Sequence, residues 1–324
     1  LSILAYALIG LGVGASGTSL LALLATATEP RRRAAAATIT WLMMIFGIAV
    51  TAGTVGAFLD PYTPMLLLRI VAVVTGVAVL ATILAVRGIE ARMQATRRPP
   101  STTRFIDGMR EIWAEPAARN FSIFVFLSMT AYFMQELILE PFAGLVFGLT
   151  PGQTTTLSGA QNGGVFLGML TVGIAATGLG LGSLRTWVVA GCLGSAASLG
   201  VITMLGGVGF AAALVPAVVG LGFFNGMFAV AAIGSMMALA GQGRGAREGT
   251  RMGVWGAAQA IAAGFGGLLG AGAVDVMRLA LSSDAQAFGA VFLAEATLFI
   301  LAALLALRVI QHRGRRSAAI VPGE

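Results

Sequence analysis

Five polar side chains in the apolar part of this chain could do chemistry that a hydrocarbon helix cannot: Gln135, Glu136, Glu140, Asn225 and Glu295. Three of them fall in the stretch FMQELILEPFAGLVFGLT, Phe133 to Thr150, where Glu136 and Glu140 stand four residues apart and share a helical face. Ionisable groups within apolar spans are costly, so each reads as a candidate site. Their oxygens can hold a ligand, dock a partner helix or reach the membrane interface, and for Glu295 an interhelical hydrogen bond is a further choice. Gln161, Asn162 and Gln259 are neutral companions.

Other chemistries have little to stand on. Cys192 is the one cysteine and lies in an apolar run, while His312, the one histidine, sits in an arginine-rich tail. There is no Ser–His–Asp set and no metal-ligand cluster, so the expectation is a protein that is not an enzyme and holds no metal of its own. The segment GQGRGAREGTR lacks the Lys–Ser/Thr pair of a phosphate-binding loop and reads as a turn with arginines at helix ends.

The elements that must position these residues are membrane spans. Hydrophobic residues make up 57% of the chain and charged residues 10%, with 45 glycines, and the mean hydropathy is +0.91, far outside the soluble range. Apolar stretches of about 20 residues mark spans, and nine are expected: Leu1–Thr28, Ala34–Leu59, Pro64–Val86, Phe121–Pro141, Thr154–Gly178, Leu184–Gly206, Phe210–Ala240, Gly249–Val276 and Ala285–Ile310. All 20 basic residues are arginine. They cluster at Arg31 to Arg33, from Arg87 to Arg119, at Arg185, Arg244, Arg247 and Arg251, and from Arg308 to Arg316, with Arg278 an exception. Arginine in alternate short loops marks the cytoplasmic side, which puts the carboxyl terminus and the long loop there. Phe105, Met109, Ile112 and Trp113 are spaced in that loop like one face of a surface helix. Counted from the cytoplasmic end near Asn120, Glu136 and Glu140 fall toward the external side, and Pro141 ends or kinks their helix.

An internal repeat accounts for the odd number of spans. GLG at Gly10–Gly12, then Arg33, Trp41 and Asp60, is answered by GLG at Gly220–Gly222, then Arg247, Trp255 and Asp275. Two copies in the same direction, six spans apart, match the two halves of a major facilitator. The expected organisation is therefore residues 1–88 as the fourth to sixth of twelve spans, 89–120 as the central loop, 121–311 as a six-span carboxyl-terminal half and 312–324 as a tail. Three amino-terminal spans are expected to be missing.

The segments QELILEPFAGLVFGLTPGQTT, EPRRRAAAATITWLMMIFGI and FFNGMFAVAAIGSMMALAGQGRGAREGTRMGVWGAAQAIAAGFGG resemble the PucC family, including its LhaA-type members, the bacteriochlorophyll delivery family of the major facilitators. The resemblance implies an assembly factor of the purple-bacterial photosynthetic antenna, in the inner or intracytoplasmic membrane. It implies bacteriochlorophyll as the bound pigment, with carotenoid or lipid as further ligands. The partners it implies are the antenna α and β polypeptides, chlorophyll synthase and membrane lipid, with no nucleic acid. On that reading Glu136 or Glu140, helped by Gln135, ligates the pigment magnesium, a hard cation that takes oxygen donors; Arg33, Arg247 and Arg251 are the loop arginines of the family pattern. Docking of an antenna polypeptide on the same residues, a pigment-free assembly scaffold and a secondary transporter of a small solute are the alternatives.

Overall fold

The computed structural model describes residues 2–28, 33–88, 110, 113–240 and 248–310. Among them are nine long helices: α1 (Ser2–Ala27), α2 (Arg33–Phe58), α3 (Pro64–Val86), α4 (Pro116–Phe147), α5 (Pro151–Val172), α6 (Leu184–Val208), α7 (Leu214–Ala240), α8 (Glu248–Ala280) and α9 (Asp284–Val309). No strand occurs among the described residues. The protein is an all-α polytopic membrane protein, as expected.

Seven helical segments among the described residues are long and apolar enough to cross a bilayer, against nine expected. Helix α1 is 26 residues long and apolar, and its side chains are described only in part. In α5 the run Gln153, Thr154, Thr155, Thr156, Ser158, Gln161 and Asn162 dilutes the hydropathy. The fifth helix starts earlier than expected, at Pro151, and after Val172 it reaches the expected end as a π-helix over Gly173–Gly178.

The chain divides into two compact units, Leu1–Met44 with Thr63–Thr102, and Ile45–Tyr62 with Thr103–Glu324. The first holds α1, the opening part of α2, and α3. Helix α3 starts where Thr63 Oγ1 accepts from the Leu66 N–H at 3.1 Å and Pro64 occupies the first turn. It is apolar all round apart from Arg69, Thr75 and Thr82, and none of its residues is buried, which suits a helix whose solvent is hydrocarbon.

The second unit carries the core and all five candidate residues. Pro141 neither ends α4 nor marks its boundary: the helix runs on to Phe147. Proline removes one backbone donor there, yet Phe142 and Ala143 just beyond it are fully buried. The Phe142 ring meets those of Phe288 and Phe292 at 5.7 and 5.0 Å, and this packing holds the last turns in place. The stop is Gly148, at φ 69°, a left-handed conformation that glycine adopts without steric cost. Helix α5 follows at once. The Thr150 hydroxyl accepts from Gln153 N–H at 3.3 Å, the Thr150 N–H donates to Gln153 Oε1 at 3.0 Å, and the same hydroxyl donates to Asp60 Oδ2 at 2.6 Å. A carboxylate at a helix N-terminus also meets the positive end of the helix dipole.

Polar α5 is held by backbone approach rather than by large side chains. Gly164 and Gly168 on α5 face Gly222 and Gly226 on α7, each pair spaced four apart. A Cβ at Gly168 would collide with Phe223 O, at Gly222 with Gln161 O and at Gly226 with Val165 O. Small residues at this spacing let membrane helices close to backbone contact. The glycine-rich run of α8 does the same where Gly266, Gly267 and Gly270 meet Thr130, Phe133, Met134 and Leu137 of α4. Between these contacts lies a core of large rings, among them Phe121, Phe124, Phe142, Phe228, Phe292, Phe299 and Trp255.

Arg278, the exception to the arginine pattern, is paired: its Nε lies 2.7 Å from Asp284 Oδ1 across the α8–α9 turn.

Candidate functional site

The five residues do not form one site; the helices send them three ways. Glu136 is exposed, on the side of α4 turned to α8. It sits in a cleft of about 280 Å³ walled by Phe133, Leu137, Ala263, Gly264, Gly267 and Leu268. The cleft exists because α8 presents glycine there: a Cβ at Gly264 would meet nothing within 4 Å. Leu137 and Leu268 beside it are exposed hydrophobics. Among the described residues Glu136 makes no hydrogen bond or ion pair, so its oxygens are free to bind.

Glu140, one turn on, points elsewhere. It is half-buried and accepts a hydrogen bond from the Ser158 hydroxyl of α5. Ser158 is anchored in turn, its carbonyl accepting from Asn162 Nδ2 at 3.0 Å. The two carboxylates share a helical face by spacing, but they differ in neighbour and exposure.

Gln135 does not assist Glu136. It is fully buried, and neither Nε2 nor Oε1 has a partner. Successive helical residues are about 100° apart, so one turns inward while the next turns outward. Glu295 on α9 is likewise fully buried with both carboxyl oxygens unpartnered. Asn225 on α7 is fully buried, accepts from Ser195 Oγ at 2.7 Å through Oδ1 and leaves Nδ2 unpartnered.

Ser158 and Ser195 were missed by reading residue types, since serine in a membrane helix ordinarily bonds its own backbone, as Ser128 and Ser235 do here. The buried, unpartnered Trp255 Nε1 also had no signal beyond the repeat. Arg247 lies outside the described residues, as do His312, most of the 89–120 loop and the tail. Arg33 and Arg251 are placed as backbone only, in α2 and α8. Among the described residues no three His, Cys, Asp or Glu side chains come together as a metal-binding group.

What such a cleft belongs to is answered by comparison. The family model described as PUCC protein matches residues 1–314. The chain belongs to the PUCC family. A relative in Rhodobacter capsulatus, named bacteriochlorophyll synthase 44.5 kDa chain, is 69% identical over 325 residues, covering 100% of this chain and 76% of that protein. Protein PucC of the same organism is 29% identical over 331 residues, covering 96% of this chain and 68% of that protein. An uncharacterized protein of its puhA-bchM intergenic region is 27% identical over 315 residues, covering 93% and 64%. These findings give the protein a photosynthetic pigment-related role.

One expectation is corrected here. The sequence reading had no enzyme, but a relative 69% identical across the whole of this chain carries the name of a synthase chain. That reading rested on the lack of a nucleophile or metal cluster, and such a lack is weak ground for a PUCC family member. Positioning a bound substrate contributes to a reaction without leaving a compact motif in the sequence.

Proposed function

We propose that this protein holds bacteriochlorophyll in the photosynthetic membrane and passes it from the site of pigment synthesis to the antenna α and β polypeptides as light-harvesting complexes assemble. Glu136 in the α4–α8 cleft is the residue that holds it. The observation that carries the reading is a carboxylate without a protein partner, exposed among apolar walls. Magnesium is a hard cation that takes carboxylate oxygen, so Glu136 would hold the magnesium of the pigment while Phe133, Leu137 and Leu268 would line its apolar ring. Glu140, engaged by Ser158, serves as a strut and not as the ligand.

The same reading takes the chain as part of a major facilitator arrangement, with 121–311 as its carboxyl-terminal half, a cytoplasmic carboxyl terminus and the arginine loops on that side. The name borne by the 69% identical relative supports placing this protein beside bacteriochlorophyll synthesis. The PucC relatives support the family membership on which this reading rests.

The test is pigment that co-purifies from a bacteriochlorophyll-producing strain, read as near-infrared absorbance per mole of protein. Glu136→Ala is expected to lower it at least about tenfold, the effect of losing roughly 1.4 kcal/mol of binding, while Glu140→Gln keeps it. Full pigment content in Glu136→Ala would overturn the assignment. Loss of antenna polypeptide with pigment retained would turn the cleft into a protein-docking surface.

A further inference from the structure

The wall of the Glu136 cleft is tied to the core by a row of rings. Phe299 of α9 and Phe228 of α7 are fully buried, and their ring centroids lie 5.6 Å apart. Phe228 meets the half-buried Tyr132 of α4 at 6.4 Å. Tyr132 in turn meets Phe133 at 5.1 Å, with the two ring planes at 87°. All three contacts are edge-on, the arrangement that the charge distribution of an aromatic ring favours. Phe133 is the last of the row, and it walls the cleft.

Contact between Tyr132 and Phe133 is not something a helix supplies by itself. Successive residues point about 100° apart, so neighbouring side chains ordinarily diverge. These two rings meet because both are pinned. Tyr132 is held from the core side by Phe228. The stem of Phe133 is held from the α8 side: a Cβ at Gly266 would lie 3.0 Å from Phe133 Cβ, so the α8 backbone stands directly against it. Among the described residues that line the cleft Phe133 is the one ring; the others are Glu136, two exposed leucines, Ala263 and two glycines. An aliphatic chain presents no plane, whereas a pinned ring presents a fixed one.

We propose that Tyr132 is a positioning residue of the cleft: its ring, braced on Phe228, holds Phe133 as a fixed flat wall and so sets the plane in which a bound pigment lies beside Glu136. Tyr132 is not among the lining residues and acts through Phe133. This role rests on the cleft being the pigment site. Because the contacts run through the ring, the phenol hydroxyl is dispensable to it and the ring is not.

Two measurements on the purified full chain test the role. In the first, 4-fluorophenylalanine is placed at position 133 and, as a reference, at the exposed position 265, and fluorine resonances are recorded in detergent without pigment. The label at 133 is expected to be displaced from the reference by the ring current of Tyr132. Tyr132→Leu is expected to remove most of that displacement and Tyr132→Phe to keep it. Gly266→Ala, which presses on the Phe133 stem from α8 and leaves Tyr132 intact, is expected to move the resonance as well. An unmoved resonance in Tyr132→Leu or Gly266→Ala, or equal loss in Tyr132→Phe, overturns the brace. In the second, protein is purified from a bacteriochlorophyll-producing strain, and near-infrared circular dichroism is read per bound pigment. Tyr132→Leu is expected to lower its amplitude, and Tyr132→Phe to match wild type. An unchanged signal in Tyr132→Leu overturns the effect on the pigment even where the fluorine label has moved. Wild type that carries no pigment while its label responds as expected would overturn the pigment reading alone.

Discussion

Neighbouring residues in α4 have opposite fates, and their energetics differ accordingly. The Ser158 hydroxyl donates a hydrogen bond to Glu140 Oε1, linking α5 to α4. Ser158→Ala is expected to lower stability by about 1 kcal/mol, read as a drop in thermal unfolding temperature in detergent. An unchanged midpoint would mean that water replaces the hydroxyl. Ser195→Ala removes the one side-chain bond of a fully buried Asn225 and is expected to cost more, about 1–2 kcal/mol, because no solvent reaches the site. Double substitution with Asn225→Ala then restores part of the loss, since no orphaned amide is left.

Elements in this protein meet through glycine, which makes helix pairing sensitive to single atoms. Gly168→Leu drives a side chain into Phe223 O where the α5 and α7 backbones touch. It is expected to destabilise by about 3 kcal/mol or to abolish folding, with gel filtration as the check. Gly264→Ala enters open space in the cleft and is expected to stay within about 0.5 kcal/mol of wild type. Gly264→Trp fills that space and is expected to displace pigment from an otherwise folded protein. Damage from Gly264→Ala equal to that from Gly168→Leu would show that the cleft is not open in the membrane. These contrasts were only partly legible beforehand. The run Gly256 to Gly272 reads as a packing surface, and Gly266, Gly267 and Gly270 are one. Its neighbours Gly256, Gly264 and Gly272 face open space, because a straight helix presents only one stripe to a partner. Pro141 misled for a related reason. Its local effect on the backbone is certain, but burial of Phe142 and Ala143 outweighs the loss of one hydrogen bond.

For the whole molecule, charge placement fixes the expected orientation. Arg313, Arg315 and Arg316 follow the last span, and a reporter fused after Glu324 is expected to be active only if it works in the cytoplasm. Activity of a reporter that needs the external side would reverse the assignment and every loop with it. The class of molecule was legible from sequence alone, since 57% hydrophobic residues with 10% charged cannot fold in water without a large exposed apolar surface. So were the positions of seven spans, because an apolar run of the right length has few other uses, and so was the family, through its Gln–acid–Glu–Pro segment. Tertiary structure alone decided which polar group is available. Periodicity places Gln135, Glu136 and Glu140 on a helix but cannot say which neighbour covers each face. Packing of the second unit buries Gln135, Ser158 of α5 engages Glu140, and the glycines of α8 leave Glu136 uncovered; these are properties of helix pairing, set by contacts far apart in the chain.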